Sequence, residues 1–178
     1  KKVEFIAEVS SNHNRDLDRM KDFIKTSGEI GCTGIKFQLF KIDQLFSSEI
    51  LEKSETHRKR KNWELSEKVI PELADYTHEC GLNFSCTPFY LDAVDLLEPY
   101  VDFYKIASYE LLWDALLVSC AKTGKPVVLS TGMADLDELD SAVAIFRKHN
   151  APLILLHCVS SYPTPLNECN LLMMDVLK

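Results

Sequence analysis

Long apolar runs are absent from this sequence: no stretch approaches the roughly 20 residues that a membrane-spanning helix needs. No Cys-x-x-Cys pair is present, and the six cysteines lie mostly inside apolar helix or strand patterns. Cysteines in such positions behave as small hydrophobic residues, so the pattern predicts no disulfide framework and a reducing, cytoplasmic setting. The start of the chain also lacks the apolar core of a signal peptide.

Acidic residues outnumber basic ones, 27 to 20. The net charge of −7 argues against a nucleic-acid partner, because a phosphate backbone demands a basic stripe. The one basic run, residues 57–61, is interpreted as a solvated loop, with a lid near an anionic substrate as the alternative. No glycine-rich nucleotide-binding motif follows any apolar run, which disfavours nucleotide binding.

Six short apolar runs that end in polar clusters dominate what is present. They predict strands at about residues 3–10, 34–40, 83–87, 103–108, 126–131 and 153–159. Helical patterns separate most of them, at about residues 14–31, 64–80, 91–99, 114–123, 135–149 and from 171 onward. Alternating buried strands and helices indicate a parallel sheet, so we predict an α/β fold of the (β/α) TIM-barrel type.

About six of the eight βα units of such a barrel are present. An open sheet of barrel curvature would leave two unpaired edges, so we predict a partial barrel domain over residues 1–178 of a longer protein. The polar stretch 41–62 is predicted as a long functional or mobile loop. Pro71 predicts a kink or a late start in the second main helix.

Polar residues close the predicted strands, and the carboxyl ends of parallel strands share one rim. The residues expected on that rim are Glu8, Lys36, Gln38, Thr87, Lys105, Ser108, Ser130 and Ser160. Carboxylates, ammonium groups and hydroxyls at strand ends are typical of a barrel active site.

Lys36 and Lys105 lie within otherwise apolar runs, where a lysine needs an acid or a bound anion as partner. Three interpretations stay open. The lysines form buried salt bridges; or, with the nearby hydroxyls, they bind a phosphate and a carboxylate; or Lys105 is a Schiff-base lysine of the class I aldolase kind.

Glu8 and Glu110 are the acids best placed to touch a substrate, although each could equally be a structural ion-pair partner. His157 is interpreted as a hydrogen-bonded interior histidine, and the remaining histidines have no recognisable ligand spacing. No metal site is therefore predicted within this chain.

Six motifs, in the same order and spread over the whole chain, carry a resemblance to a known family. They are residues 7–14 (AEVSSNHN), 35–38 (IKFQ), 85–89 (SCTPF), 104–108 (YKIAS), 129–133 (LSTGM) and 156–165 (LHCVSSYPTP). They resemble the N-terminal barrel of the sialic acid synthase family, which includes the N-acetylneuraminate, legionaminate and pseudaminate synthases.

The resemblance implies a transferase of carbohydrate biosynthesis. Such an enzyme condenses phosphoenolpyruvate with the aldehyde of an N-acetylated amino sugar, giving a nine-carbon 2-keto sugar acid and phosphate. The alternatives are a Schiff-base aldolase that uses Lys105 and a non-catalytic barrel that binds an anion or a sugar.

The resemblance also implies roles for individual residues. Phosphoenolpyruvate would be held by Lys36, Thr87, Lys105, Ser108 and Ser130, with Gln38 close by. Ser160 stands where some members carry a phosphate-binding Asn, and it would keep that role in weakened form. Glu110 would contact the attacking water, and Glu8 and Tyr162 would face the sugar.

Further expectations concern parts that the resemblance places elsewhere. A divalent cation, Mn²⁺ or Mg²⁺, would be bound by ligands beyond residue 178. A C-terminal antifreeze-like domain is absent from this chain, the full-length protein would be a homodimer, and the chain alone would be inactive. Arg15 stands where many members have Gly, so the turn there is expected to differ.

Overall fold

The computed structural model describes residues 3–178, so Lys1 and Lys2, which open the predicted domain, lie outside the described residues. Two compact units divide the chain, Lys1–Phe103 and Tyr104–Lys178. The strands are Ile6–Glu8 (β1), Gly34–Leu39 (β2), Asn83–Pro88 (β3), Phe103–Ile106 (β4), Val127–Ser130 (β5) and Leu153–Leu156 (β6). The helices are Leu17–Glu29 (α1), Ile42–Leu45 (α2), Ser48–Lys53 (α3), Glu55–Lys59 (α4), Ile70–Glu79 (α5), Asp92–Leu97 (α6), Asp114–Lys122 (α7), Leu136–Lys148 (α8) and Met173–Val176 (α9).

The strands of each unit are parallel and hydrogen-bonded in chain order. In the first unit β2 lies between β1 and β3, and in the second β5 lies between β4 and β6. This arrangement confirms the predicted alternation of parallel strands with helices. β1 is shorter than predicted. Beyond its carboxyl end, Ser10 has a φ of 51° and turns the chain out of the extended conformation.

Residues of β2 alternate between the two faces of the sheet. Ile35, Phe37 and Leu39 of β2 are completely buried, while Lys36 and Gln38 alternate with them and remain half-buried. Since successive strand side chains point to opposite faces, the apolar series forms the core and leaves the polar pair on the other face.

The second unit buries β5 along its whole length. Its core also contains Leu116 and Leu117 of α7 and Phe146 of α8, each almost fully buried. A strand buried on both faces needs apolar cover or satisfied polar groups on both sides. Ser130, at the carboxyl end of β5, is the buried polar residue that needs such partners.

The prediction of a long loop over residues 41–62 is wrong, because this stretch is mostly helical. It forms α2, α3 and α4 and continues into a short 3₁₀ helix, Arg60–Trp63. Serine side chains cap the amino ends of α3 and α4. The guanidinium group of Arg60 lies over the rings of Phe46 and Trp63. The basic run is therefore part of helical structure rather than a solvated loop.

Pro71 lies in the first turn of α5, which confirms the late start predicted for this helix. Proline is tolerated there because the first amide groups of a helix have no partner within the helix. Within the described part of the chain, no helix has the length and apolar character required to cross a membrane.

Asp135 caps α8 and offers a stability test of the second unit. Its side chain accepts from the Glu138 amide at 2.8 Å, and the Glu138 carboxylate accepts from the Asp135 amide at 2.9 Å. Asp135→Ala should lower the free energy of unfolding by about 1–2 kcal/mol, measured by urea titration. The control is Asp140→Ala on the exposed face of α8, for which an equal loss would contradict the capping role.

Candidate active site

Lys105 and Ser130 form the centre of a polar cluster in the second unit. Lys105 pairs in register with Val128, so Ser130 lies two residues further along β5 on the same face of the sheet. Lys105 Nζ donates to Ser130 Oγ at 2.6 Å and to the carbonyl oxygen of Ile106 at 2.6 Å. Lys105 is only 7% exposed, and within its unit the two bonds use neutral acceptors.

Burial lowers the pKa of Lys105 to about 8, against smaller opposing contributions from Cys158 and Glu110. Desolvation disfavours the charged form of an amine, so the protein holds this ammonium group at a cost. A bound anion would offset that cost and keep the amine protonated. The site has the electrostatic character of an anion receptor.

Glu110 ends the 3₁₀ helix Ser108–Glu110 that follows β4. The residue is 8% exposed, and within the described chain its Oε2 atom is buried without a hydrogen-bond partner. Burial raises the pKa of Glu110 to about 7, although its own backbone N–H and Lys105 act in the opposite direction. A carboxyl group that titrates near neutral pH can accept and release a proton under physiological conditions.

Two further predicted serines meet at Gly132, just beyond β5. The Gly132 amide donates to Ser108 Oγ at 3.2 Å, and Ser160 Oγ lies beside the same glycine. The second unit thus brings together Lys105, Glu110 and the three predicted serines. Gly132 itself was missed as a site residue, although its position in the Ser-Thr-Gly sequence after β5 was a usable signal.

Glu8 and Lys36 form the corresponding cluster of the first unit. They are register partners on β1 and β2, and Lys36 Nζ contacts Glu8 Oε2. Glu8 Oε1 also accepts from the Ser10 amide at 2.9 Å. The ion-pair interpretation of Glu8 therefore has direct structural support, which does not conflict with a substrate near the same side chain.

Gln38 of β2 and Thr87 of β3 are register partners. Gln38 lies two residues after Lys36 and therefore on the same face of the sheet. Ser85, the register partner of Lys36, is a residue that sequence reasoning missed. It is fully buried, and among residues 3–178 its hydroxyl oxygen has no hydrogen-bond partner. The available signal was its spacing of two residues from Thr87, which puts both on one face.

Tyr162 is 96% exposed, so the structure does not bring its side chain into the cluster around Lys105. His157 is hydrogen-bonded through Nε2 to the carbonyl oxygen of Cys169 at 2.8 Å, which confirms the hydrogen bond predicted for it. Arg15 has a φ of 60°, a left-handed conformation that favours glycine, and its amide donates to His13 Nδ1.

Lysine, glutamate and hydroxyl groups at the carboxyl ends of parallel strands are typical of the active sites of α/β enzymes. The sequence profile of the NeuB family matches residues 23–178. The chain belongs to the NeuB family.

Among its relatives is the N,N'-diacetyllegionaminic acid synthase of Campylobacter jejuni, 36% identical over 100% of this chain and 58% of that protein. The pseudaminic acid synthase of Helicobacter pylori is 33% identical over 96% of this chain and 54% of that protein. The chain thus spans about half the length of the curated relatives it matches.

The fold agrees with that of a solved sialic acid synthetase. The crystal structure of N-acetylneuraminic acid (sialic acid) synthetase from Leptospira borgpetersenii, in complex with citrate, superposes with a TM-score of 0.93. The two chains are 32% identical, and the match covers 99% of this chain and 61% of that one. These comparisons confirm the resemblance inferred from the six motifs.

Proposed function

We propose that the natural protein carrying this chain is a sialic-acid-type synthase with a (β/α) barrel. It condenses phosphoenolpyruvate with the aldehyde of an N-acetylated amino sugar, giving a nine-carbon 2-keto sugar acid and phosphate. The observation that carries the proposal is the buried Lys105, bonded to Ser130 and adjoined by Glu110, in a chain of the NeuB family. Two relatives, an N,N'-diacetyllegionaminic acid synthase and a pseudaminic acid synthase, support it.

The reaction would form one carbon–carbon bond and break one carbon–oxygen bond. Carbon 3 of phosphoenolpyruvate attacks the sugar aldehyde carbon, and the aldehyde oxygen becomes a hydroxyl group. Water adds to carbon 2, and the resulting tetrahedral intermediate expels phosphate together with the bridging oxygen. The oxygen of the added water becomes the keto oxygen of the product.

Glu110 is proposed to bind the attacking water and to accept its proton. The pKa of about 7 suits this role, because a substantial fraction of the carboxyl group is ionised at neutral pH. The buried Oε2 atom, which has no partner in the described chain, supplies an acceptor that needs none of the existing hydrogen bonds to break.

Lys105 is proposed to bind an anionic group of phosphoenolpyruvate, with the hydroxyl groups of Ser108, Ser130 and Ser160 as donors. A preorganised cation in a water-poor site stabilises developing negative charge more strongly than it would in water. Lys36, Gln38 and Thr87 of the first unit stay predicted contacts of the same substrate. Glu8 and Tyr162 stay predicted contacts of the sugar.

The divalent cation that the resemblance implies does not fit the residues of this chain. Across residues 3–178, no three or more His, Cys, Asp and Glu side chains come together in a way that could hold a metal ion. The cation, the homodimer and the cytoplasmic location stay predictions.

The proposal is tested by the stoichiometry of phosphate release. The natural protein is incubated with phosphoenolpyruvate and either N-acetylmannosamine or a bacillosamine-derived sugar. Phosphate and the nine-carbon acid should appear in equal amounts, and only when a sugar is present. Phosphate release without a sugar would refute the proposal, and binding without turnover would favour the non-catalytic barrel.

A Schiff-base aldolase is the second candidate, and the lowered pKa of Lys105 is the observation that favours it. This mechanism needs an unprotonated Nζ with a lone pair directed at a carbonyl carbon. In the structure Nζ instead donates to Ile106 and Ser130, which suits an ammonium group. Borohydride trapping of pyruvate on Lys105 would support the aldolase, and its failure would exclude this mechanism.

Glu8→Gln separates the two roles considered for Glu8. Removing a carboxylate beside Lys36 should lower kcat/KM for the sugar by about tenfold, through loss of one charged contact. The KM for phosphoenolpyruvate should stay unchanged or fall, because Lys36 then faces less neutralising charge. Steady-state kinetics with each substrate varied provides the measurement.

The control for this experiment is Glu4→Gln, an exposed residue two positions before β1. It should leave both kinetic constants unchanged. A parallel loss of affinity for phosphoenolpyruvate in Glu8→Gln would mean that Glu8 orients Lys36 and that its predicted contact with the sugar is wrong.

A further inference from the structure

Gly132 lies where three strand-end segments of the second unit converge. A Cβ atom placed on it would lie 2.5 Å from Ser160 Oγ, 2.9 Å from Ser108 Oγ and 3.2 Å from the carbonyl oxygen of Cys158. Real Cβ atoms essentially never make contacts shorter than 3.0 Å. The two hydroxyl groups can therefore approach this point only because Gly132 has no side chain.

Backbone freedom is not the reason for a glycine here. Gly31, Gly81 and Gly124 have φ values of 86°, 73° and 73°, in the region that favours glycine, whereas Gly132 is not among the residues with positive φ. The φ angle of Gly132 therefore gives no reason to prefer glycine over alanine. The requirement at this position is for space.

The hydrogen bonds around Gly132 leave the nearby hydroxyl protons free for another acceptor. The Gly132 amide donates to Ser108 Oγ, which uses a lone pair of that oxygen and leaves its proton unassigned. Ser130 Oγ likewise accepts from Lys105 Nζ at 2.6 Å and from Cys158 Sγ at 3.3 Å. Hydroxyl groups that already accept hydrogen bonds are set to donate to a ligand oxygen.

We infer that Gly132 is a positioning residue for an anionic group of the substrate. Its missing side chain opens the space in which the Ser108 and Ser160 hydroxyls reach one phosphate or carboxylate group. This inference rests on the proposed function, since it concerns how that substrate is held. Gly132 acts through the two serines and not through a contact of its own with the substrate.

Gly132→Ala in the natural protein tests this role. The added methyl group displaces both hydroxyls, so phosphoenolpyruvate should bind about 10- to 100-fold more weakly in calorimetry, as expected for the loss of one or two hydrogen bonds to a charged group. The KM for phosphoenolpyruvate should rise by more than kcat falls. Gly28→Ala is the matched control, because its Cβ would meet the Cys80 carbonyl at 3.2 Å in the other unit.

A double-mutant cycle provides a result that a merely structural role would not produce. In the Gly132→Ala background the Ser160 hydroxyl is already displaced, so adding Ser160→Ala should change the affinity by less than about twofold. Alone, Ser160→Ala should weaken binding by about tenfold. Additive effects, or wild-type affinity in Gly132→Ala, would overturn the inference.

Two further measurements distinguish failure of this inference from failure of the proposed function. If Gly132→Ala does not fold in thermal unfolding, then Ser108→Ala and Ser160→Ala, which remove atoms, decide the question, and unchanged affinity in both overturns the inference. If the wild-type protein does not bind phosphoenolpyruvate, the proposed function fails instead. Titration with inorganic phosphate and with pyruvate identifies the group held at Gly132 as the one whose affinity the alanine lowers.

Discussion

Lys105→Met is expected to weaken phosphoenolpyruvate binding by about 30- to 1,000-fold, equivalent to the roughly 2–4 kcal/mol of a charge-assisted contact in a water-poor site. Methionine keeps much of the length and the apolar stem of lysine but removes the charge. Sugar affinity should change far less. Calorimetry with phosphoenolpyruvate and with the sugar separately measures both effects in the natural protein.

The same substitution should stabilise the fold near neutral pH. The pKa of Lys105 is about 8 in the folded protein and near 10.5 when exposed, so the unfolded state binds more protons between these two values. The free energy of unfolding contributed by Lys105 therefore rises as pH increases from 8 to 10.5. Lys105→Met should lack this rise and be more stable than the wild type below pH 8, by up to roughly 3 kcal/mol.

Lys122→Met is the matched control, because Lys122 is exposed at the end of α7 in the same unit. It should change neither the affinity nor the dependence of stability on pH. If Lys105→Met binds phosphoenolpyruvate normally, or fails to fold, then Lys105 is a structural residue and its assignment to the substrate is wrong.

Glu110→Gln is expected to reduce kcat by about 100-fold or more, the usual contribution of a positioned acid or base. Glutamine preserves the shape of the side chain but cannot accept a proton from water. In the wild type kcat should rise with pH as Glu110 ionises near pH 7, and the residual activity of the variant should lose that dependence. Steady-state kinetics at saturating substrates provides the measurement.

The pH dependence of stability gives a second readout for Glu110. Its direction is opposite to that expected for Lys105. The pKa of Glu110 is about 7 in the folded protein and near 4.5 when exposed, so the folded state binds more protons between these values. The free energy of unfolding of the wild type should therefore fall by roughly 2–3 kcal/mol because of this group as pH rises from 4.5 to 7. The Glu110→Gln variant should not show this decrease.

Glu168→Gln, an exposed residue of the same unit, serves as the control for both readouts. It should leave kcat and the pH dependence of stability as they are in the wild type. A Glu110→Gln variant that keeps full activity would remove Glu110 from the proposed mechanism, whatever its effect on stability.

Helix α8 illustrates why parts of the fold were predictable. Its predicted span, about residues 135–149, agrees with the observed helix to within one residue at each end, because amphipathic periodicity is a local property of the chain. The stretch 41–62 was not predictable in the same way. Helices of only 4–6 residues contain too few turns to show a periodicity, and the contacts of Arg60 with Phe46 and Trp63 are made between them.

The site shows the same division. The sequence determined by itself the parallel α/β class, the residues at the strand ends and the family, since each depends on patterns that neighbouring residues carry. Only the tertiary structure decided that Lys105 bonds Ser130, that Glu8 contacts Lys36, that Tyr162 is exposed and that two serine hydroxyls lie beside Gly132. Register and burial determine these contacts and the shifted pKa values of Lys105 and Glu110, and both arise when segments distant in the chain pack together.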